Sequence, residues 1–300
     1  MGERAVCLFA HYDPAGRVAP HVLRYVAHLA ECGFVVHVAC SGLAQLSPHD
    51  ETALRQTGAM PHLRPNGGLD FGAWRDLMLA GCAEGAEEVL LANDSVFGPF
   101  ADLRPRFAAM RARGLDAWGM VESEQGAWHL QSWFLCITGA ALARPAVRRV
   151  FEQPFAAMSK PEIVLHGELG LGAALRAEGL ACGAVFAEQR RNRLRWLVRS
   201  NPMHLHWASM IEREGVPFLK VELLRDNPMR IFWADQWPEV IRRASTYPTE
   251  LISRHLGSAK PSPPPPWRTM LIYLCLTRDR AEALRAIRRY GMALATGPRR

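Results

Sequence analysis

Glu88-Val89-Leu90-Leu91-Ala92-Asn93-Asp94-Ser95-Val96-Phe97-Gly98-Pro99 (EVLLANDSVFGP) is the stretch on which the fold turns. Its apolar run, closed by turn residues, reads as a short buried strand over Glu88–Ala92. That strand delivers Asn93-Asp94-Ser95 to its carboxyl end, and Val96–Pro99 turns the chain away. In an open α/β sheet, ligands sit beyond the carboxyl ends of the strands, so these three polar residues stand where chemistry is expected.

Upstream, strand-like and helix-like segments alternate, the pattern of a mostly parallel sheet flanked by helices. Arg4–Ala10 predicts a first strand, followed by a loop at His11–Val18 and an amphipathic helix to about Cys32. Phe34–Cys40 is rich in β-branched residues and predicts a second buried strand. Ser47-Pro48-His49-Asp50 supplies a cap, a proline at the first helical position and an acid at the third, predicting a helix to about Gly58. Asp70 is placed to cap a further helix through Cys82. Downstream the spacing predicts a helix near Leu103–Arg113 and strands near Asp116–Val121 and His129–Ile137. Beyond Gly139 helices dominate, with a strand at Leu180–Phe186.

Composition narrows the class. The chain has 300 residues, 49% hydrophobic, with a net charge of +7, which excludes disorder as its main state. Apolar runs such as Met270–Leu276 fall far short of the ~20 residues that span a bilayer, and the start lacks a secretory apolar core, so the cytoplasm is the expected compartment. The seven cysteines are scattered without a CxxC pair, indicating neither a zinc site nor a disulfide framework. Eight arginines against Asp279 and Glu282 place +6 of the charge within Trp267–Arg300, which argues against a nucleic-acid partner for the main body. Three segments are expected: a main domain over 1–257, a proline-rich linker over 258–266 and a basic amphipathic helical extension over 267–300. That extension suits either a docked helix with a solvated arginine face or a contact with an anionic membrane surface.

Three polar clusters fall at strand ends: His11-Tyr12-Asp13, Arg64-Pro65-Asn66-Gly67-Gly68-Leu69-Asp70, and Asn93-Asp94-Ser95. Converging on one edge, they would make a nucleotide-sized site. Asp94 suits a divalent cation that neutralises a leaving diphosphate, or equally a turn aspartate bonding its own backbone. The glycine cluster would let backbone N–H groups approach phosphate with Arg64 as a fork, or simply form a tight loop. Glu168, expected at the start of a helix over Leu169–Glu178, suits a general base or a first-turn carboxylate. His129, Gln131 and Trp133 alternate on one strand face, which suits sugar stacking and hydroxyl recognition or an ordinary half-buried strand. His204 and His206 lack a third nearby ligand in the sequence. The Arg190–Arg195 run is either a solvated face or a contact for an anionic acceptor.

Taken together, these stretches resemble the rhamnan synthesis protein F family, glycosyltransferase-like proteins of bacterial cell-surface polysaccharide assembly. The matching segments are Leu8–Val22 (LFAHYDPAGRVAPHV), Arg64–Trp74 (RPNGGLDFGAW), Leu90–Pro99 (LLANDSVFGP), Asp116–Gly119 with Gln131–Phe134, and Glu168 before a helix. Asn201–His204 with Trp207, and Pro217–Arg225 (PFLKVELLR) with Asn227-Pro228, continue the match. The resemblance runs from about residue 6 to 230 and leaves the tail after Tyr247 uncovered.

The resemblance implies a GT-A-type, Rossmann-like transferase that moves a sugar, rhamnose from dTDP-rhamnose, to a polysaccharide or lipid-linked acceptor. It implies Asp94 at the metal and diphosphate position with Mg²⁺ or Mn²⁺, and Glu168 as general base. Arg64, Asn66 and Asp70, with His11, Asp13, Asn93 and Ser95, would hold the donor, while His129, Gln131 and Trp133 would meet the acceptor. The chain departs from the family's wider pattern in having Asn93-Asp94-Ser95 where Asp-x-Asp is usual, and Leu169 where a second acid would follow Glu168. A nucleotidyltransferase and a non-catalytic polysaccharide-assembly module remain the alternatives.

Overall fold

The computed structural model describes residues 5–187, 201–257, 267–276 and 280–296. The proline-rich stretch 258–266 and the Arg190–Arg195 run lie outside the described residues. Among the described residues ten strands occur: β1 (Ala5–His11), β2 (Val35–Ser41), β3 (Met60–Arg64), β4 (Glu88–Asn93), β5 (Val96–Phe97), β6 (Ala117–Ser123), β7 (His129–Leu130), β8 (Phe134–Thr138), β9 (Cys182–Phe186) and β10 (Leu219–Lys220). Four helices interleave with the first strands: α1 (Pro20–Glu31), α2 (Pro48–Gln56), α3 (Leu69–Leu79) and α4 (Arg104–Arg111). The chain forms two compact units, Met1–Asp94 with Asp102–Val185, and Ser95–Ala101 with Phe186–Arg300.

The first unit is the expected α/β sheet flanked by helices, consistent with a Rossmann-like GT-A arrangement. Its strand order is β3-β2-β1-β4-β8-β6-β7, with β9 also paired to β6. β3, β2, β1 and β4 run parallel, whereas β8 is antiparallel to both β4 and β6. Parallel order puts the carboxyl ends of β1, β2, β3 and β4 on one edge, at His11, Ser41, Arg64 and Asn93. The central strands are buried on both faces, as their unbroken apolar runs require.

Local signals explain most of the elements. Ser47 caps α2, its hydroxyl accepting from Asp50 N–H at 3.0 Å, with Pro48 in the first turn. α1 buries Val22, Tyr25, Val26 and Leu29, the spacing of one helical face. β3 has no counterpart in the sequence expectations, because Met60-Pro61-His62-Leu63-Arg64 carries a proline, which a sheet accepts only at an edge.

Three expectations need correction. Asp70 does not cap α3: Gly68 does, in the left-handed region at φ 72°, which a residue without Cβ adopts freely. The strand expected over His129–Ile137 breaks at Gln131–Trp133 into β7 and β8, so His129, Gln131 and Trp133 do not share one pleated face. Glu168 is not at a helix start but inside a continuous helical run, Lys160–Ile163, a π-helical turn at Val164–Leu169, and Gly170–Ala177. The macrodipole argument for Glu168 therefore fails, since the effect is confined to the terminal turn.

The second unit is mainly helical, with β5 and β10 forming a two-stranded antiparallel ribbon. Its core includes Phe97, Trp207, Leu219, Trp237, Ile241 and Ile252. The helices Trp267–Leu276 and Arg280–Thr296 belong to this unit: Met270, Tyr273 and Ala286 are buried in its core. Arg285 pairs with Glu212 at 2.6 Å and Arg289 pairs with Asp235. The docked reading of the basic extension is the one that fits these contacts.

Candidate functional site

The loop after β1 and the end of β4 meet at His11 and Asp94. Asp94 N–H donates to the Ala10 carbonyl, which holds the residue as an extension of the β1–β4 ladder. Asp94 Oδ2 lies 2.6 Å from His11 Nδ1 and accepts from Tyr12 N–H at 2.9 Å. His11 Nε2 is 3.1 Å from the Arg17 carbonyl, a group that can only accept. With an acceptor facing each nitrogen, the surroundings favour the doubly protonated ring. Burial alone pushes the His11 pKa down, but the hydrogen bond and charge of Asp94, helped by the Arg17 carbonyl and Asp13, raise it overall. Asp94 therefore enters the site as half of a part-buried ion pair, with 21% of its side chain still exposed.

Asn93, beside it, donates from Nδ2 to Asp70 Oδ2 at 2.6 Å, which ties the first turn of α3 to the β4 end. Asp13 Oδ1 accepts from Ala15 N–H at 2.7 Å, so this carboxylate shapes the His11–Val18 loop. Asn66 is exposed and stands beside Gly42, near Tyr12. The loops following β1, β2 and β3 thus come together at the carboxyl edge.

Arg64 departs from the expected phosphate fork. Its Nε donates to Asp76 at 2.7 Å, Nη1 to Ser41 Oγ at 2.9 Å and Nη2 to the Gly67 carbonyl at 2.8 Å. The side chain is buried, and each of its three nitrogens is engaged. Arg64 is a brace that joins β2, the glycine loop and α3.

Glu168 reaches the same sheet edge from another direction. Its Oε1 accepts from Ser132 N–H at 2.8 Å, and its Oε2 lies 4.0 Å from His129 Nε2. His129 Nδ1 donates to the Ala127 carbonyl at 2.8 Å, which turns Nε2 toward the carboxylate. Because Ala92 pairs with Phe134 in the β4–β8 register, the 131–133 turn lies at the β4 end that also presents Asp94. Two glycines let the helical run approach: a Cβ on Gly167 would meet the Phe71 ring at 2.8 Å, and one on Gly172 the Trp128 carbonyl at 2.6 Å. Trp133 is buried, its Nε1 donating to Gln131 Oε1 at 2.8 Å, so both side chains are interior rather than an open sugar platform.

Ser95 begins the second unit, where Lys220 Nζ donates to its hydroxyl at 3.1 Å. Lys220 sits within the PFLKVELLR stretch, where a lone lysine in an apolar segment carries no spacing signal that would mark it from sequence. His204, two residues of chain from His206, is buried with its Nε2 3.4 Å from Glu222, off hydrogen-bond geometry. Burial, reinforced by Lys220 and opposed by Glu222, lowers its pKa to about 4, so it is neutral at physiological pH.

An α/β sheet of Rossmann-like type with polar residues gathered at its carboxyl edge defines the class of protein. The chain belongs to the Rhamnan synthesis protein F family, which it matches over residues 36–280. That match begins later than the resemblance, which starts near residue 6, and extends past Tyr247 to residue 280, so it takes in only the first part of the basic extension. Membership ties the protein to rhamnan synthesis, a polysaccharide-building role of glycosyltransferase type. No curated protein matches the sequence. Among solved structures, the chain is similar to HddC from Yersinia pseudotuberculosis, at 10% identity and a TM-score of 0.34 over 61% of this chain and 90% of that one. Among the described residues no helix is long and apolar enough to cross a membrane.

Proposed function

We propose that the protein transfers a sugar, rhamnose, from a nucleotide-diphosphate donor to a growing cell-surface polysaccharide or lipid-linked acceptor at the inner face of the cytoplasmic membrane. The observation that carries the reading is the placement of two carboxylates, Asp94 and Glu168, at one edge of the sheet. Such an edge is where α/β proteins bind nucleotides.

The expected Mg²⁺ or Mn²⁺ must be tested against the donor atoms present. One oxygen of Asp94 already serves His11 and Tyr12, and no second carboxylate stands beside it in Asn93-Asp94-Ser95. What remains is Asp94 Oδ1. A single carboxylate oxygen suits a cation that arrives with the donor and is otherwise held by its phosphates and water, as Mg²⁺ commonly is. Bound there, it would supply charge neutralisation for the departing diphosphate.

The chain's own groups account for the rest. The His11 imidazolium fixes the Asp94 carboxylate in one orientation. Ser132 N–H fixes Glu168 through Oε1 and leaves Oε2 to take the proton of an acceptor hydroxyl. As that O–H bond breaks, the acceptor oxygen bonds the anomeric carbon, and the bond from that carbon to the diphosphate oxygen breaks. A non-catalytic assembly module is the second reading, favoured by the fact that Asp94 is already paired within the protein.

The experiment is a thermal-shift screen against nucleotides and nucleotide sugars, with and without Mg²⁺ or Mn²⁺. Native-state binding stabilises by about 2.7 kcal/mol at a hundredfold excess over Kd. A dTDP-selective shift, strengthened by metal and lost in Asp94→Ala, supports the transferase. No shift with any nucleotide, in folded protein, leaves the assembly module.

A further inference from the structure

Away from the sheet edge, three side chains distant in sequence converge. His37 on β2, His62 on β3 and Cys82, just after α3, bring one ligand atom each to within 4.8 Å of one another. His37 Nδ1 is 2.9 Å from His62 Nε2, and Cys82 Sγ is 3.9 Å from that same nitrogen. The convergence follows from register. His62 pairs with Ala39, and His37 lies two residues earlier on β2, so both imidazoles occupy the same face of the sheet. The turn that ends α3 then lays Cys82 over that face.

We propose that His37 Nδ1, His62 Nε2 and Cys82 Sγ form a binding site for a zinc-class divalent cation, with a fourth position open to water or an external ligand. Two imidazoles and a thiolate are a donor set that suits Zn²⁺ and leaves it one position short of tetrahedral closure. Without the ion, the 2.9 Å separation is that of two rings sharing one hydrogen. For tetrahedral bonds of the usual length the nitrogens must part to about 3.3 Å, a movement of a few tenths of an ångström. His62 is half-buried on the edge strand and offers the approach from solvent, whereas His37 and Cys82 are buried.

The site is separate from the proposed sugar-transfer edge. His37 lies four residues before Ser41, about 13 Å along β2. Among the described residues, the other convergence of this kind, His28, Cys32 and Asp102, is less apt. His28 Nε2 already accepts from Leu103 N–H at 3.1 Å, and both Asp102 oxygens are engaged by Arg104.

Cobalt titration of the full chain after chelator treatment tests the proposal, because Co²⁺ bound to a thiolate gives a charge-transfer absorption. The expected result is one ion per chain, displaced by Zn²⁺, with the band absent in Cys82→Ser and retained in Cys32→Ser. His62→Gln, on the accessible edge strand, is expected to weaken Co²⁺ binding at least tenfold while the fold is kept. Zn²⁺ is expected to raise the Tm of the wild type and not of His62→Gln. No cobalt–thiolate band in the wild type, or a band that survives Cys82→Ser, overturns the site. Should Cys82→Ser fail to fold, unchanged Co²⁺ affinity in His62→Gln overturns it as well.

Discussion

His11 Nδ1 and Asp94 Oδ2 lie 2.6 Å apart, joining the end of β1 to the residue just after β4. The pair makes the candidate catalytic carboxylate a structural element as well. Because the His11 pKa is raised in the folded protein, the pairing stabilises fully below the unfolded histidine value of about 6.5 and is lost as pH rises through the higher folded value. Wild-type Tm is expected to fall across that window, and Asp94→Asn to flatten the fall. At acid-to-neutral pH the variant is expected to be less stable by on the order of 1–3 kcal/mol, read by denaturant unfolding.

Glu168→Gln keeps an oxygen for Ser132 N–H and removes the proposed base. Sugar transfer is expected to drop by about 10²- to 10⁴-fold with donor binding intact. Single-turnover transfer alongside nucleotide-binding isotherms checks this. Equal loss of donor affinity would assign Glu168 to the donor site instead.

Arg64→Ala is expected to behave as a stability variant, not as a simple loss of phosphate affinity. Each charge-assisted hydrogen bond at a buried site is worth about 1.5–3 kcal/mol, and Arg64 makes three. Lysine cannot reproduce the three-way fork, so Arg64→Lys is expected to recover only part of the loss in urea unfolding.

Gly172→Ala pushes a methyl group toward the Trp128 carbonyl at 2.6 Å, whereas the Cβ of Gly170→Ala makes an ordinary 3.5 Å contact with the Leu165 carbonyl. The first is expected to cost about 1–3 kcal/mol and to lower kcat by displacing Glu168 from Ser132. The second is expected to be neutral or to stabilise by about 0.4–1 kcal/mol. Thermal melts and transfer assays on the two variants separate local crowding from a general effect of helix glycines.

Contact with an anionic membrane is to be tested without deleting the basic extension, since Tyr273 and Ala286 are core residues. Leu284 and Ile287 are exposed on the final helix. Glutamate at both is expected to reduce co-sedimentation with anionic vesicles severalfold while leaving Tm unchanged. Unchanged co-sedimentation would exclude this face.

The alternation of strands and helices, the Ser47-Pro48 helix start and the delivery of Asn93-Asp94-Ser95 to a strand end are legible in the residues themselves. These are short-range matters of hydrophobic period, capping and turn chemistry, written in neighbouring residues. Tertiary structure decided the rest. It spent Arg64 on a brace, buried Gln131 and Trp133, paired Asp94 with a histidine 83 positions away, and brought Glu168 to the β4 edge through a strand pairing and two glycine contacts. It also gathered His37, His62 and Cys82, which no spacing rule links. Side-chain partners across a sheet are set by strand order and register, and those emerge only when distant segments pack together.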